Sequence, residues 1–393
     1  MTHSSGTHSS GTHSESGKGE SGAGESTPED MIDESTDAVA AVSHEVQRKS
    51  TKRRLVETAL SLSVTVIMFL FVVPAVSGSH YSAIWNQITT LSIASLAMLI
   101  GIWALAVLAY SGVMVNCLPG LRRRQAVTVN LASSAVSNVV PFGGAVGVGA
   151  TYAMDMSWGF SPPTVTLSIL VSGVWNVFVK LAVPVIAVVL LLGTGRETGQ
   201  LVIPAILGVV ALVTAVVVLA LIMRSEALAA RVGAIGQRIV DPVGRRIHRL
   251  AGLDIARSVL DFRHHSIGLL RRNWFWITAW VIAFNVIQYL LLLACVRSIG
   301  LDTHQLGWIE VFAAFAFARL LETIPITPSG VGFVETGAAA TLIAFGGNAE
   351  AATAAVFLFR GFTYLLEIPT GAVAWGVWAS RRGWRRPIGS ADR

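Results

Sequence analysis

The sequence predicts an all-α integral membrane protein with about six full transmembrane helices and two re-entrant Pro/Gly hairpins, arranged as an inverted repeat. Apolar residues make up 53% of the chain and charged residues only 13%, whereas ordinary soluble domains carry roughly a quarter charged residues. The apolar stretches are continuous rather than alternating, and at about 20 residues each they match helices that cross a hydrocarbon core of roughly 30 Å. Two further apolar stretches are broken by Pro and Gly, which predicts one hairpin in each half of the chain.

Residues 1–45 differ in composition from the rest of the chain. They begin with repeats of Thr-His-Ser-Ser-Gly and contain mainly Ser, Gly, Glu and Asp. Because such a segment cannot bury enough apolar surface to fold, we predict a disordered cytoplasmic tail over 1–45. A polytopic membrane domain is predicted over 46–385 and a second cytoplasmic tail over 386–393. The histidines of the first tail lack the paired spacing of a zinc site, so no metal site is predicted.

Six apolar stretches are long enough to cross a membrane as single helices. They are, in chain order, Leu55–Val76, Ile88–Tyr110, Thr164–Leu192, Leu201–Met223, Trp274–Val296 and Ala352–Ala379. The two broken stretches are Ala126–Met154 and Ile309–Gly346. The first contains Pro141 and the second contains Pro325 and Pro328, and a proline inside a helix removes a donor and clashes with the preceding turn.

The distribution of lysine and arginine predicts the orientation of these helices. Five lie in 45–54, three in 122–124, ten in the basic segment 224–272 and five near the C-terminus, against two, Arg196 and Arg297, in the other loops. This partition of 23 against two places both termini in the cytoplasm only if each broken stretch enters and leaves on one side. Re-entrant hairpins satisfy that condition, and two short, kinked spans satisfy it equally. The net charge of +6 therefore reflects membrane topology and not nucleic-acid binding.

The two halves of the membrane domain align with each other at a constant offset. Gly143 of the first broken stretch and Gly330 of the second are 187 residues apart. Residues 55–192 and 201–379 are therefore predicted to be repeats of opposite orientation, whose hairpins open to opposite faces of the membrane. Inverted repeats with interrupted helices in equivalent positions indicate a binding site near the bilayer midplane. A duplication retained only for folding is the alternative.

Ionisable residues at membrane depth are costly to insert and mark candidate functional sites. The second half contains Arg319, Glu322, Glu335, Arg360 and Glu367, and the first half contains Lys180. One interpretation is that these charges pair with each other and hold the helices together. The other is that they line a polar cavity, where arginine binds a phosphate and a carboxylate binds an amine. The candidate substrate-binding residues are these six together with Tyr364 and the turn residues Pro141, Gly143, Gly144, Pro325, Pro328, Gly330 and Gly332.

Three segments resemble a known family. The stretch Ile324–Glu335, in which two prolines precede Gly-x-Gly-x-x-Glu, resembles the signature of the lysylphosphatidylglycerol synthase transmembrane (flippase-like) family. The segment Arg360–Pro369 is similar to the pattern of that family's next span, and Asn138–Gly144 is similar to its first hairpin. The resemblance covers about 55–380. It departs from the family at 148–150, where Val-Gly-Ala stands in place of an arginine that family members often carry.

The resemblance implies a lipid translocase in the plasma membrane, because the family's membrane domain moves a modified phospholipid between leaflets. The expected partners are membrane lipids, in particular an anionic or aminoacylated phospholipid, and a separate lipid-modifying enzyme. Few residues follow the last span, so no transferase domain is expected there, and no Walker motif is present, so ATP is not expected to drive transport directly. The sequence shows no catalytic constellation, and no catalytic residue or cofactor is predicted. An accessory subunit or enzyme of envelope lipid or glycan assembly and a secondary transporter of a small solute are the alternatives. The sequence does not predict an oligomeric state.

Overall fold

The computed structural model describes residues 81–139, 143–194, 255–322 and 328–381, and isolated helical positions between 210 and 237. These residues belong to the second of two units into which the chain divides, 51–393. Within these ranges every regular element is a helix, as the sequence predicts. The predicted tails over 1–45 and 386–393 lie outside the described residues.

The first half of the described chain contains five helices. They are α1 (Tyr81–Thr89), α2 (Ile93–Cys117), α3 (Arg123–Val139), α4 (Gly143–Ser157) and α5 (Pro162–Gly193). Helix α2 begins later than predicted because Ser92 caps it: its Oγ accepts the backbone N–H of Ser95 at 3.1 Å. It also ends later, at Cys117, shortly before Gly120 takes a left-handed φ of 97°.

The second half also contains five helices. They are α6 (Ile255–Ser298), α7 (Trp308–Leu321), α8 (Phe333–Ala344), α9 (Ala349–Arg360) and α10 (Glu367–Ser380). A π-helical segment, Gly361–Leu365, joins α9 to α10, so that the two form one interrupted span. Helix α6 has 44 residues and is therefore about 66 Å long at about 1.5 Å per residue. The end of the basic segment 224–272 is thus part of the same helix as the span that follows it.

Four helices of the described chain are long and apolar enough to cross a membrane. They are α2, α5, the part of α6 from Arg272 to Ser298, and Ala349–Ser380, and they confirm four of the six predicted spans. Their outer faces are apolar: only 17% of the most apolar window of α5 is buried inside the protein, and Val177 and Val189 are exposed there. Such faces suit contact with lipid chains. The other two predicted spans, Leu55–Val76 and most of Leu201–Met223, lie outside the described residues.

Each broken stretch is a pair of short helices packed against each other, α3 with α4 and α7 with α8. They contain 17 and 15, and 14 and 12 residues, so each is about 18–25 Å long and shorter than a hydrocarbon core. The predicted break is therefore confirmed in both stretches. Residues 140–142 of the first turn are not described. In the second turn, Pro328–Gly330 forms a single 3₁₀ turn in which Ser329 has a φ of 49°.

The two halves of the chain contact each other through these helix pairs. Helix α3 packs against α10, α7 packs against α5, and α2 packs against α6. The first arm of each hairpin therefore lies against the last span of the other half. The contact between α3 and α10 is close because Gly371 lies beside the backbone carbonyl of Leu131 and the Cβ of Ala135, as small residues allow in membrane helices.

We expect Gly371→Ala to separate α3 from α10, because the added Cβ overlaps the carbonyl oxygen of Leu131 and the Cβ of Ala135. Overpacking of this kind costs about 1–3 kcal/mol, which we expect to appear as a lower Tm of the protein in detergent. Gly376→Ala is the matched control, since the space around that glycine of the same helix is open. Equal Tm values for the two variants would contradict the close contact.

Candidate functional site

A cavity of about 650 Å³ lies between the helices of the described membrane domain. Helices α2 to α7, the turn at Ser329, and the span formed by α9 and α10 all contribute to its wall. Its wall contains three cationic side chains, Lys180, Arg319 and Arg360, and two carboxylates, Glu322 and Glu367. The membrane domain is therefore polar in its centre and apolar on its outer face, which is the arrangement expected where ionisable groups serve a function inside a membrane.

The last turn of α7 supplies one charged pair to this wall. Arg319 Nη1 donates to Glu322 Oε2 at 2.6 Å, which the spacing of three residues on one helix face allows. The guanidinium lies 6.0 Å from the ring centroids of Phe284 and Phe315, within cation–π range. Its buried Nε has no hydrogen-bond partner among the described residues. Arg319 therefore keeps one buried donor that no described residue satisfies.

The second charged pair is buried and holds the turn of the second hairpin in place. Arg360 Nε donates to Glu335 Oε1 at 2.7 Å, and the side chains are only 7% and 3% exposed. Arg360 Nη2 also donates to the backbone carbonyl of Ser329 at 3.1 Å. The other carboxylate oxygen, Glu335 Oε2, accepts the backbone N–H of Gly332 at 2.6 Å. The positive end of the α8 dipole, at the N-terminus of the helix, is thus balanced by Glu335 of the same helix and does not need an external anion.

Asn138, near the end of α3, connects the two hairpins. Its Oδ1 accepts the hydroxyl of Ser329 at 2.6 Å, and its Nδ2 donates to the backbone carbonyl of Tyr364 at 3.2 Å and to Glu367 Oε2 at 3.3 Å. The phenol of Tyr364 in turn donates to the backbone carbonyl of Asn138 at 2.7 Å. These bonds hold Ser329 in its left-handed conformation, which is unusual for a residue other than glycine.

A polar face of α3 supplies one side of the cavity, and it was not among the predicted site residues. It consists of Asn130, Ser133, Ser134, Ser137 and Asn138. Their spacing of three and four residues places them on one face of a helix. The signal was present in the sequence, because five amides and hydroxyls at helical spacing are unusual in a stretch predicted to enter a membrane.

The structure brings most of the predicted site residues together. Those in the cavity wall are Gly143, Gly144, Lys180, Arg319, Glu322, Gly330, Arg360 and Glu367. Gly332, Glu335 and Tyr364 lie behind the wall and support it through the hydrogen bonds described above. Pro141 and Pro325 lie outside the described residues, and Pro328 begins the 3₁₀ turn. The charges therefore combine features of both interpretations. Arg319 pairs with Glu322 and Arg360 with Glu335, and all of the charges except Glu335 also line the cavity.

No group of three His, Cys, Asp or Glu side chains with the geometry of a metal site is present within the described ranges. The family described as "Lysylphosphatidylglycerol synthase TM region" matches residues 57–371, which is most of the chain and includes the whole cavity wall. No curated protein matches the chain.

Proposed function

The chain belongs to the lysylphosphatidylglycerol synthase TM region family, and from that premise we propose that it is a lipid translocase. In this proposal it moves the polar headgroup of a phospholipid or of a lipid-linked compound between the two leaflets. The observation that carries the proposal is the charged cavity of about 650 Å³ enclosed by helices whose outer faces are apolar.

The physical basis is the cost of moving a headgroup through hydrocarbon. A charged or strongly polar group loses its hydration there, at a cost of several kcal/mol or more. The side chains of Asn130, Lys180 and Glu322 in the cavity wall can replace water around a headgroup, while the acyl chains stay in the bilayer beside the apolar faces. A path of this kind lowers the barrier to lipid movement without any covalent chemistry.

The architecture supports the same proposal. We propose that the two helix pairs are re-entrant hairpins of an inverted repeat, with both termini in the cytoplasm and the protein in the plasma membrane. The exchanged packing of α3 on α10 and of α7 on α5 supports this arrangement, because each hairpin then contacts the opposite repeat. Repeats that rock against each other around a fixed central site provide alternating access.

In this proposal the lipid is made by a separate enzyme, and the chain itself is not an enzyme. Synthesis by this chain would require an acid, base or nucleophile aimed at a substrate near the membrane surface. A deletion strain separates the two roles, because loss of translocation changes the sidedness of a lipid whereas loss of synthesis removes it.

The proposal predicts that a bulky side chain in the cavity stops lipid movement. Gly144 lies in the cavity wall and has open space where a Cβ would be. We therefore expect Gly144→Trp to slow the movement of a fluorescent phospholipid in reconstituted vesicles at least about tenfold, which corresponds to about 1.4 kcal/mol of added barrier. The rate is obtained from the increase over time in the fraction of labelled lipid that a membrane-impermeant reductant can reach.

Gly149→Trp is the matched control, because Gly149 lies on the same helix in open space and does not belong to the cavity wall. We expect it to retain the rate of the unmodified protein. If neither the unmodified protein nor the control moves lipid, the proposed function is wrong. Uptake of a soluble solute in the same vesicles, without lipid movement, would favour the secondary transporter instead.

A further inference from the structure

Two opposite charges in the cavity wall have no charged partner of their own. Arg319 pairs with Glu322, and Arg360 pairs with Glu335 behind the wall. This leaves Lys180, which is a cation, and Glu367, which is an anion. Neither of them forms an ion pair with any residue that the structure describes. Counted together with Glu335 behind the wall, the charges of the site sum to zero, and one charge of each sign lies outside the two ion pairs.

Lys180 lies in the middle of the 32-residue helix α5, within a predicted span. Asn176 lies one helical turn earlier and also belongs to the cavity wall. An ammonium group at this depth is costly unless an anion or several acceptors surround it. A phosphate oxygen entering the cavity would supply that anion, and lysine binds phosphate well as a compact point charge with three donors.

Glu367 is the first residue of α10 and is separated from the π-helical segment by Leu366 alone. Its Oε2 accepts a hydrogen bond, at 3.3 Å, from the side-chain amide of Asn138, and the carboxylate also accepts one from the hydroxyl of Ser134. The carboxylate can accept about four hydrogen bonds in total, and the hydroxyl-bearing residues Ser134 and Thr363 line the same cavity. A primary ammonium group supplies three donors and a positive charge, and it is the complement of such a site.

Resting on the proposed translocation function, we infer that the cavity selects a net-neutral headgroup that carries one phosphate and one primary ammonium, with the phosphate at Lys180 and the ammonium at Glu367. A headgroup with phosphate alone leaves Glu367 uncompensated. A headgroup with one phosphate and two ammonium groups brings a positive charge for which the described wall has no free carboxylate. A quaternary ammonium has the charge but no N–H to donate to Glu367.

The experiment compares four lipids of matched acyl chains in vesicles that contain the full-length protein. Their headgroups are phosphoethanolamine, phosphoglycerol, phosphocholine and lysyl-phosphoglycerol. We expect phosphoethanolamine lipid to move at least about tenfold faster than each of the others, which corresponds to about 1.4 kcal/mol of discrimination. The measured quantity is the ratio of rates, which a general loss of folded protein does not change.

One charge-removing variant tests the assignment of each charged side chain. Glu367→Gln keeps a hydrogen-bonding side chain but removes the anion, so we expect the preference to shift about tenfold toward phosphoglycerol lipid. Lys180→Met removes the cation at similar volume, so we expect a shift of about tenfold toward lysyl-phosphoglycerol lipid. Lys180→Arg should keep the original preference. Glu350→Gln is the matched control for the first variant, because Glu350 lies in the first turn of α9 outside the cavity wall.

The outcomes separate this inference from the function on which it rests. If the protein moves all four lipids equally, and neither variant changes the ratios, translocation stands and the charge selection is overturned. If it moves none of them, translocation itself fails. Free phosphoethanolamine is included as a labelled solute, and its uptake without lipid movement would overturn the lipid as the source of the zwitterion.

Discussion

Replacing Arg360 with alanine is expected to destabilise the membrane domain by about 3–5 kcal/mol and to abolish lipid movement. The variant leaves Glu335, which is 3% exposed, as a buried carboxylate without a cation, and removal of one partner from a buried pair costs this much. It also removes the hydrogen bond from Arg360 to the carbonyl of Ser329. The turn of the second hairpin therefore loses two of its supports with one substitution.

Thermal unfolding of the purified protein in detergent measures this loss. The informative companion is the double variant Arg360→Met with Glu335→Leu, which removes both charges. We expect it to recover most of the stability, because an apolar pair of similar size often replaces a buried ion pair without loss. Glu350→Gln, at an exposed position in the first turn of α9, serves as the control for a single charge change. An unchanged Tm for Arg360→Ala would show that Glu335 has another partner in solution.

The two ion pairs differ in how far the sequence could predict them. The pair of Arg319 with Glu322 follows from their spacing of three residues on one helix. The pair of Arg360 with Glu335 joins residues 25 positions apart, and no local rule indicates it because it depends on how α9 packs beside the turn. The sequence singled out the charged residues that the structure brings to the cavity, but it did not separate Glu335, which lies behind the wall, from those that face the cavity.

The breaks in the two hairpins were predictable because Pro and Gly act on the local backbone. The π-helical segment Gly361–Leu365 was not, since its residues carry no comparable local signal. The bonds of Asn138 to Tyr364 and Glu367 span 226 and 229 positions, so only the tertiary structure shows them. The polar face of α3 to which Asn138 belongs could have been found from its helical spacing alone.

Asn138→Leu is also expected to reduce both stability and lipid movement strongly, because the side-chain amide of Asn138 forms hydrogen bonds with three partners. It leaves the hydroxyl of Ser329, the carbonyl of Tyr364 and the carboxylate of Glu367 each without a bond that they have in the native protein. A buried polar group left unsatisfied costs about 1–3 kcal/mol. The variant also removes the direct link between the two hairpins, so we expect lipid movement to slow at least about tenfold.

Asn116→Leu is the matched control, since among the described residues the side chain of Asn116 donates only to the carbonyl of Gly112 within its own helix and lies outside the cavity wall. The link itself is tested by combining Asn138→Leu with Ser329→Gly, a substitution that the left-handed φ of 49° at this position favours. Residues that share a hydrogen bond show interaction energies of about 0.5–3 kcal/mol in such a cycle. We therefore expect the two substitutions together to cost less stability than the sum of their separate effects, because the second finds the bond already lost. Strict additivity, in both Tm and the rate of lipid movement, would mean that the hairpins act independently and that their contact at Asn138 does not couple the two halves of the protein.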